Sequence, residues 1–500
     1  MKSVPSVRSN IIANFAGKAW AGLFSLAFVP FYIKLLGVEV YGLLGIFMSL
    51  SALLSLLDMG LSATLSRELS RLSTNENSKQ ESRDLVRTFE VIYWGIGILI
   101  GVLVITLAPL IAKYWINSSS INNETVEQAI MIMGLSVAFQ WPGAIYSGGL
   151  IGLQQQVELN VIRSVTVTVQ HGGAVLVLLF ISPSILLFFL WQSIVGLLAT
   201  IILAIWLWRS LDIAEHAAEF KKVLVVKNWR FASGMMAISL VTILLTQLDK
   251  IILSKMLTLE MFGYYMLAFN VANALNNLVT PISSALFPKF TQLVAMNETS
   301  KLISLYHKSC QLLSIIVLPA AITMAIFSKE ILTFWLGDTI VVQNAHLILS
   351  LLMIGTALNA VMTLPYALQL ANGWTKLAIY KNIIAVVLLI PLMVWMVEKY
   401  QGIGAAWVWI ILNFGYLIIE IPIMHRRLLK NEMGRWYKRD LILPTLIITC
   451  LGMIAKETLP MEASKLVTFV WIVMSLALSF SLAAWSAGYL NNRMLKVDRL

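Results

Sequence analysis

The chain has 500 residues, of which 59% are hydrophobic and only 12% are charged, and its formal net charge is +11. Its mean hydropathy is +0.83. This small number of polar residues cannot cover the surface of a water-soluble globule of this size. The composition therefore excludes a soluble fold and predicts an all-α polytopic membrane protein. Both cysteines, Cys310 and Cys450, lie inside apolar runs. Neither a disulfide framework nor a cysteine-based metal site is predicted, and no cofactor is expected.

Runs of about 20 apolar residues, the length that crosses a bilayer, recur along almost the whole chain. Short polar breaks separate these runs. The pattern predicts about 14 transmembrane helices. The predicted spans are 11–33, 43–65, 88–112, 128–151, 159–181, 184–207, 231–253, 264–286, 306–327, 345–368, 377–397, 403–424, 440–457 and 466–488.

The basic residues are distributed unevenly between the two predicted membrane faces. With the N-terminus inside, 27 of the 36 Lys and Arg residues fall at the cytoplasmic side and seven at the outer side. An excess of this kind sets the orientation of membrane proteins, so both termini are predicted to be cytoplasmic. The positive charge then indicates a phospholipid surface, and no nucleic-acid partner is expected.

A lysine, a glutamate and a glycine recur at the same spacing in two parts of the chain, each time in a polar break between two apolar runs. The two copies are Lys34, Glu39, Gly42 and Lys255, Glu260, Gly263. Residues 34–72 align without a gap with residues 255–293, with nine identities in 39 positions. Repeats of this kind are typical of transporters built from two homologous helix bundles.

Each half of the repeat would hold six spans, and because six is even both halves would run in the same direction. The sequence therefore predicts two six-helix bundles related by a pseudo-two-fold axis along the membrane normal. The chain would comprise the N-terminal bundle, a cytoplasmic linker, the C-terminal bundle, and two additional transmembrane helices with a cytoplasmic tail. Their predicted bounds are 1–208, 209–230, 231–425 and 426–500.

The connections between spans limit the chemistry that the chain can perform. None exceeds about 25 residues, and no GxxxxGK[ST] phosphate loop is present. A catalytic or ATP-binding domain outside the membrane is thereby excluded. Energy for transport would come from an ion gradient, from the gradient of the substrate or from a separate subunit. Residues 212–227 would form either an amphipathic helix at the membrane surface or a solvated linker.

Several short motifs at the ends of predicted spans resemble one known family. Residues 56–61 (LLDMGL) end the second span, residues 149–154 (GLIGLQ) follow the fourth, and residues 247–250 (QLDK) end the seventh. Residues 262–265 (FGYY) and 285–289 (ALFPK) bound the eighth. With the span count and spacing, these motifs resemble the Wzx-type polysaccharide flippases of the multidrug/oligosaccharidyl-lipid/polysaccharide exporter superfamily.

The resemblance implies a function and a location. Such a protein would move an undecaprenyl-diphosphate-linked oligosaccharide from the inner to the outer leaflet of a bacterial inner membrane, for O-antigen, capsule or related surface polysaccharide. It would work by alternating access. Its implied partners are the lipid-linked oligosaccharide, membrane lipids and other polysaccharide-assembly proteins.

Ionisable residues inside spans are the first candidates for the substrate pathway, because each costs at least a few kcal/mol in hydrocarbon unless it faces a cavity or a partner. Lys18 and Asp58 lie about seven residues from the inner ends of the first two spans, and hence at matching depth. They would either form an ion pair that fixes two helices or leave Lys18 as a cavity cation for the diphosphate.

The seventh and eighth spans supply further candidates. Asp249 and Lys250 are neighbours and should point about 100° apart on a helix. Lys250 is expected to snorkel to the outer interface, and Asp249 is the better candidate for a cation or proton site. Asn270, Asn273 and Asn277 would form one polar stripe, which would either line a cavity or bind a neighbouring helix.

The fifth span carries two candidates, Arg163 and His171. Arg163 would either snorkel to inner phosphates or contact substrate. His171 would either be packed with hydrogen bonds or take part in a proton relay. Glu420 is predicted to be an interface residue at the inner end of the twelfth span. Proline residues in or near span interiors are expected to kink helices; these are Pro142, Pro281 and Pro365.

Two alternative functions remain open. A multidrug or metabolite exporter of the same superfamily would use a carboxylate-rich cavity, whereas here Lys18, Arg163 and Lys250 make the spans at least as basic as acidic. An integral-membrane polymerase or glycosyltransferase would present a sizeable outer loop with acidic or Arg-rich motifs. The longest outer loops, 113–127 and 328–344, are short and nearly free of such groups.

Overall fold

The computed structural model describes residues 7–54, 58, 60–73, 78–227, 247–460 and 464–486. Within these ranges the regular elements are helices, with one isolated β-bridge between Asn117 and Thr258. The chain divides into two compact units, Met1–Gly263 and Tyr264–Leu500.

The first unit is built from helices that begin and end at short polar or glycine-containing breaks. They are α1 (Val7–Ala27), α2 (Val29–Leu36), α3 (Val38–Leu54), α4 (Leu61–Leu72), α5 (Lys79–Tyr114), α6 (Asn123–Gln140), α7 (Gly143–Gly152), α8 (Gln156–Phe180), α9 (Ile185–Ser210) and the start of α10 (Leu259–Asn273). Helix α5 packs on α6, α6 on α9, α8 on α1 and α9, and α4 on α7. Large aromatic side chains such as Phe89, Tyr146 and Phe188 fill the space between them and are fully buried.

The second unit continues the same architecture. Its helices are α11 (Asn276–Ala295), α12 (Thr299–Ile326), α13 (Ser328–Leu336), α14 (Thr339–Val361), α15 (Thr363–Ala371), α16 (Lys376–Leu428), a π-helix (Trp436–Ile442), α17 (Leu443–Glu457) and α18 (Lys465–Ser486). Helix α14 packs on α12 and α16, and the C-terminal pair α17 and α18 packs on α12.

Nine helical segments among the described residues are long and apolar enough to cross a membrane. They are Ile12–Leu36, Lys79–Tyr114, Asn123–Gly152, Gln156–Phe180, Ile185–Ser210, Thr299–Ile326, Thr339–Ala371, Lys376–Leu428 and Lys465–Ser486. The prediction of an all-helical polytopic membrane protein is therefore confirmed. The count of 14 stays a prediction, and residues 231–246 of the seventh predicted span lie outside the described residues.

Several helices are interrupted where the sequence predicts a boundary or a kink. Helix α16 covers the predicted spans 377–397 and 403–424, and Gln401 between them has a positive φ of 51°. Breaks also occur beside Pro142, between α6 and α7, and just before Pro365, between α14 and α15. Proline lacks the N–H that would continue the helix and clashes with the preceding turn, which agrees with both breaks. Pro281 lies inside the unbroken helix α11, so no helix break accompanies the third predicted proline.

The two copies of the repeated motif meet at their glycines. A Cβ atom at Gly42 would lie 2.3 Å from the carbonyl oxygen of Leu259, and a Cβ atom at Gly263 would lie 2.4 Å from the carbonyl oxygen of Val38. In the repeat alignment Gly42 corresponds to Gly263 and Val38 to Leu259, so the contact is reciprocal. Only glycine allows the two backbones to approach this closely.

Glu39 of the first copy is buried and fixes the loop beside this contact. It accepts hydrogen bonds from the Ser118 hydroxyl at 3.1 Å and from backbone N–H groups of residues 119–121. Burial raises the pKa of the Glu39 carboxyl, but these hydrogen bonds outweigh it and hold the pKa below its ordinary value. The loop in turn binds the second copy, because the Asn117 carbonyl accepts a 2.7 Å hydrogen bond from the Leu259 N–H.

Residues 211–221 do not form the predicted amphipathic helix. They are not helical, and only 222–227 form a short helix. Their backbone is bound to α5, where the Glu219 N–H donates to Asp84 and the Lys221 N–H donates to Thr88, each at 2.9 Å. The Lys221 ammonium also pairs with the Asp84 carboxylate. The prediction of an amphipathic helix over 212–227 is therefore wrong, because polar groups of α5 hold residues 211–221 in an irregular form. Most side chains of the segment are exposed, and the alternative of a solvated linker stays a prediction.

Replacing Gly42 by alanine is expected to destabilise the protein, because the new methyl group would collide with the Leu259 carbonyl. Overpacking of this kind typically costs about 1–3 kcal/mol. The measurement is the midpoint of thermal unfolding of the purified protein in detergent. Gly95→Ala is the matched control, since no atom lies within 4 Å of the added Cβ there, and it should leave the midpoint unchanged or raise it slightly. Equal midpoints for Gly42→Ala and Gly95→Ala would contradict the contact.

Candidate functional site

Helices α1 and α8 run parallel and are joined by polar side chains. Asn160 Nδ2 donates to Asn14 Oδ1 at 2.6 Å, and Trp20 Nε1 donates to Thr168 Oγ1 at 2.9 Å. Gly17 permits this approach, because a Cβ atom there would lie 2.5 Å from Asn160 Oδ1. Since residue numbers rise together along both helices, their N-terminal ends lie at the same end of the unit.

Lys18 and Arg163 lie between these two hydrogen bonds. Lys18 is four residues beyond Asn14, and Arg163 is three residues beyond Asn160. Each cation therefore lies about one helical turn beyond the hydrogen bond between the two asparagines. Both side chains are exposed. Neither forms an ion pair with any residue in the described part of the chain. The structure thus brings two predicted site residues to one height on adjacent helices.

The same contact continues to His171. The Tyr32 hydroxyl lies 2.9 Å from His171 Nδ1, and the Phe28 ring stacks on the imidazole at 6.0 Å between centroids. His171 is half-buried and engaged in hydrogen bonding. We call Asn14, Lys18, Asn160, Arg163 and His171 the α1–α8 seam.

The two helices of the seam are poorly buried within the first unit. Only 17% of the residues in the apolar stretches of Ile12–Leu36 and Gln156–Phe180 are buried, against 67% in Asn123–Gly152. A cation that faces hydrocarbon costs several kcal/mol, so an exposed pair of cations at this depth indicates contact with water or with a charged lipid group. The seam can therefore bind an anion with two charge-assisted contacts.

Asp58 belongs to a different contact. It accepts a hydrogen bond from the Ser62 hydroxyl at 2.9 Å and another from the Tyr93 hydroxyl. The Tyr93 ring stacks on Trp141 at 4.5 Å. Lys18 and Asp58 both lie within the described residues and no ion pair joins them, so the predicted pair is wrong. Helix α1 packs on α8, whereas the helix after Asp58 packs on α5 and α7.

Asp249 and Lys250 contact each other in the helical residues 247–256. Lys250 Nζ lies 3.1 Å from Asp249 Oδ1, and Lys250 is only 5% exposed. The prediction that Lys250 snorkels to the interface is therefore wrong. The long lysine side chain folds back to its neighbour, which overcomes the angular separation expected on a helix.

The helix that carries the three asparagines is interrupted. Asn270 and Asn273 lie on α10, but residues 274–275 form a turn before α11 begins at Asn276. Asn276 Nδ2 donates to Asn273 Oδ1 at 2.9 Å across this turn. Asn273 and Asn277 are both exposed. The regular helix is therefore interrupted between the second and third asparagine, and the single polar stripe with its two possible roles stays a prediction.

Glu420 is buried, contrary to its predicted place at the membrane interface. This carboxylate is only 2% exposed, pairs with the Lys381 ammonium at 2.6 Å and accepts a 2.8 Å hydrogen bond from Gln369. The Lys381 ammonium lies 4.5 Å from the centre of the Tyr416 ring. Glu420 is thus a buried ion-pair residue and not an interface residue. The sequence contains a signal for this pair, because Lys381 lies four residues after the start of the eleventh predicted span and Glu420 four residues before the end of the twelfth, and both positions are on the predicted inner side.

Sequence reasoning missed two further polar groups. In the first unit Glu90 accepts hydrogen bonds from Tyr146 at 2.7 Å and Trp208 at 3.2 Å. In the second unit His307 lies between two carboxylates, those of Glu432 and Asp440. Neither group follows a local sequence motif. In the described part of the chain, no set of three or more His, Cys, Asp or Glu side chains is arranged to hold a metal ion.

Comparison with solved structures identifies the fold. The lipid II flippase MurJ in its inward closed conformation matches with a TM-score of 0.72 over 97% of this chain and 99% of that chain, at 15% identity. An inward-facing multidrug resistance MATE family transporter of the MOP superfamily matches with a TM-score of 0.59 over 87% of this chain and 97% of that one, at 12% identity. The chain therefore has the fold shared by these proteins.

Comparison of sequences identifies the family. A putative O-antigen transporter of Shigella flexneri is 22% identical over 411 residues, which cover 81% of this chain and 94% of that protein. Residues 7–294, more than half of the chain, match the family described as polysaccharide biosynthesis protein. The chain therefore belongs to this Wzx-like polysaccharide biosynthesis family, a family of membrane transporters rather than enzymes.

Proposed function

We propose that this protein is a flippase that moves an undecaprenyl-diphosphate-linked oligosaccharide from the inner to the outer leaflet of a bacterial inner membrane. The product would serve the assembly of O-antigen, capsule or a related surface polysaccharide. Family membership supports the substrate class, and so does the name of the Shigella flexneri relative, a putative O-antigen transporter. Membrane lipids and other polysaccharide-assembly proteins are the remaining proposed partners.

The single observation that carries the proposal is the pair of cations in the α1–α8 seam. Lys18 and Arg163 are exposed, lie at one height, and form no ion pair within the described residues. A diphosphate carries negative charge that cannot cross hydrocarbon unaided, and Arg and Lys are the side chains best suited to bind phosphate oxygens.

We further propose alternating access by two six-helix bundles that are related by a pseudo-two-fold axis, with fourteen spans and both termini cytoplasmic. The reciprocal contact at Gly42 and Gly263 supports the duplication, because equivalent residues of the two copies meet. The break at Gln401 supports two spans within α16. The excess of basic residues at the predicted inner side supports the orientation.

Replacing both cations by glutamine, Lys18→Gln with Arg163→Gln, is expected to abolish most transport. A charge-assisted hydrogen bond contributes about 1.5–3 kcal/mol, so each single variant should lose roughly tenfold in initial flipping rate at low substrate. The measurement is flipping of a fluorescent undecaprenyl-diphosphate saccharide in proteoliposomes. Lys18→Arg should retain most activity because it keeps the charge.

Arg209→Gln is the matched control for this pair. Arg209 is also an exposed arginine of the first unit and lies near the end of a predicted span, but it belongs to α9 and is outside the seam. Its variant should flip the lipid at the wild-type rate. Wild-type activity in the double variant would show that the seam does not bind the diphosphate.

Deletion of the gene is expected to trap undecaprenyl-linked repeat units at the inner leaflet and to remove the corresponding surface polysaccharide. The physical reason is that the hydrated saccharide and its diphosphate cannot cross the bilayer without the protein. Extraction of lipid-linked saccharides and gel analysis of surface polysaccharide provide the measurement. Normal surface polysaccharide in the deletion strain would overturn the proposed substrate, and complementation with the intact gene excludes a polar effect.

A further inference from the structure

The second unit contains a buried cluster centred on His307. His307 Nδ1 faces Oδ2 of Asp440, and His307 Nε2 lies 2.9 Å from Oε2 of Glu432. Gln311 Nε2 donates to Asp440 Oδ1 at 2.8 Å. His307 and Asp440 are each 1% exposed. We call His307, Gln311, Glu432 and Asp440 the His307 cluster.

The hydrogen-bond valence of this cluster requires an additional proton. A neutral imidazole has one N–H donor and one lone pair, whereas an ionised carboxylate can only accept. With a carboxylate at each ring nitrogen, a neutral His307 would direct a lone pair at one of them. The geometry is satisfied when the ring is an imidazolium that donates to both carboxylates, or when one carboxyl is protonated.

The neighbouring His425 shows the opposite arrangement. It is also 1% exposed, but its Nδ1 lies 2.9 Å from the Ile421 carbonyl oxygen and its Nε2 lies 3.4 Å from the Tyr306 hydroxyl. A neutral ring satisfies both contacts, because Nδ1–H donates to the carbonyl and Nε2 accepts from the hydroxyl. Two buried histidines of one region therefore differ in the number of protons that their surroundings demand.

The His307 cluster has one partly exposed end. The Glu432 side chain is 22% exposed, whereas that of Asp440 is 1% exposed. Gln311 Oε1 is buried and has no hydrogen-bond partner in the described residues. It therefore provides a hydrogen-bond acceptor near Asp440, at the buried end of the cluster. A metal ion does not fit, because the two carboxylates lie on opposite nitrogens of one ring and do not converge.

The cluster also attaches the C-terminal helices to the rest of their unit. Asp440 belongs to the π-helix. Its backbone carbonyl accepts a 2.6 Å hydrogen bond from the hydroxyl of Ser314 on α12. At the other end of the pair, Lys456 of α17 pairs with Glu330. Of the two attachments, the His307 cluster alone contains a group that ordinarily titrates near neutral pH.

We propose that His307, Asp440 and Glu432 form a proton-binding site, with Glu432 as its entrance, and that the bound proton holds the π-helix and α17 against α12. Loss of the proton as pH rises leaves a lone pair facing a buried carboxylate and weakens this docking. The other titratable or charged groups around the site are Tyr306 and Cys310 of α12, His425 of α16, Arg435 beside Glu432, and Tyr437 of the π-helix. The inference does not rest on the transported substrate.

Cys310 is a built-in reporter of this docking, because it is buried beside the cluster on α12 whereas Cys450 is exposed. In the full-length Cys450→Ser protein we expect maleimide labelling of Cys310 to be about tenfold faster at about pH 8.5 than at about pH 6. Each rate is divided by that of the denatured protein at the same pH, which removes the intrinsic thiol titration. The factor corresponds to one buried group left without its hydrogen bond.

Glu432→Gln is the decisive variant. A glutamine amide can donate to a neutral His307, so the cluster is satisfied without the additional proton and the labelling ratio should become independent of pH. His425→Gln is the matched control and should keep the wild-type pH dependence. A flat wild-type profile, or the same pH dependence in Glu432→Gln, would overturn the proposal.

A measurement on the wild-type protein covers the case in which Glu432→Gln does not fold. Deuterium exchange at the imidazole C2 atom, read by mass spectrometry across pH, reports the protonation of each histidine. At neutral pH we expect His307 to exchange as an imidazolium-like ring and His425 as a neutral one. Both rings behaving as neutral imidazole, with ionised carboxylates shown by infrared spectroscopy, would overturn the proposal.

Discussion

The backbone-to-backbone contact at Gly42 and Gly263 is the constraint on which the first unit depends. Gly42 packs against the carbonyl of Leu259, and Gly263 packs against the carbonyl of Val38. Leu259 and Val38 each lie four residues before the partner glycine. A side chain at either glycine would separate the two copies and disturb the loop that Glu39 holds with its hydrogen bonds. The charge of Glu39 is thus structural, and its role is to satisfy backbone donors beside the contact. The two copies thus share a close backbone contact, while the candidate site residues Lys18 and Arg163 lie outside the repeated segments.

Polar groups in the helices divide into those with local partners and those without. Asp58 is held by Ser62 and Tyr93, and Glu420 by Lys381 and Gln369, so these carboxylates are stabilised within the fold. A buried charge is tolerated only under such conditions. The cations of the α1–α8 seam lack ion-pair partners in the described residues and lie on two poorly buried helices. This difference assigns the carboxylates to the scaffold and supports the proposal of a negatively charged substrate at the seam.

Apolar packing and the hydrogen bonds of the His307 cluster both attach the C-terminal helices to the second unit, and the two kinds of contact respond differently to pH. Apolar packing of Phe327, Ala455 and Ile472 is insensitive to pH. The His307 cluster depends on a proton, because two acceptors flank a ring that can be neutral. A π-helix stands at this attachment, and its wider turn brings Asp440 towards α12; such irregular turns are frequent at functional sites. The attachment of these helices is therefore the part of the second unit that conditions can adjust.

The sequence by itself determined the membrane class, the helical fold, most helix positions, the breaks beside Pro142 and Pro365 and the duplicated motif, because these follow from apolar run length, proline chemistry and local identity. It also singled out Lys18, Arg163 and His171 as polar residues inside predicted spans. Only the tertiary structure decided their partners. Depth along a span can be counted from sequence, but which helix lies beside which depends on packing, so Lys18 meets α8 and not Asp58. Hydrogen bonds between residues more than 100 positions apart, as in the His307 cluster, leave no local signal, and only the folded chain brings them together.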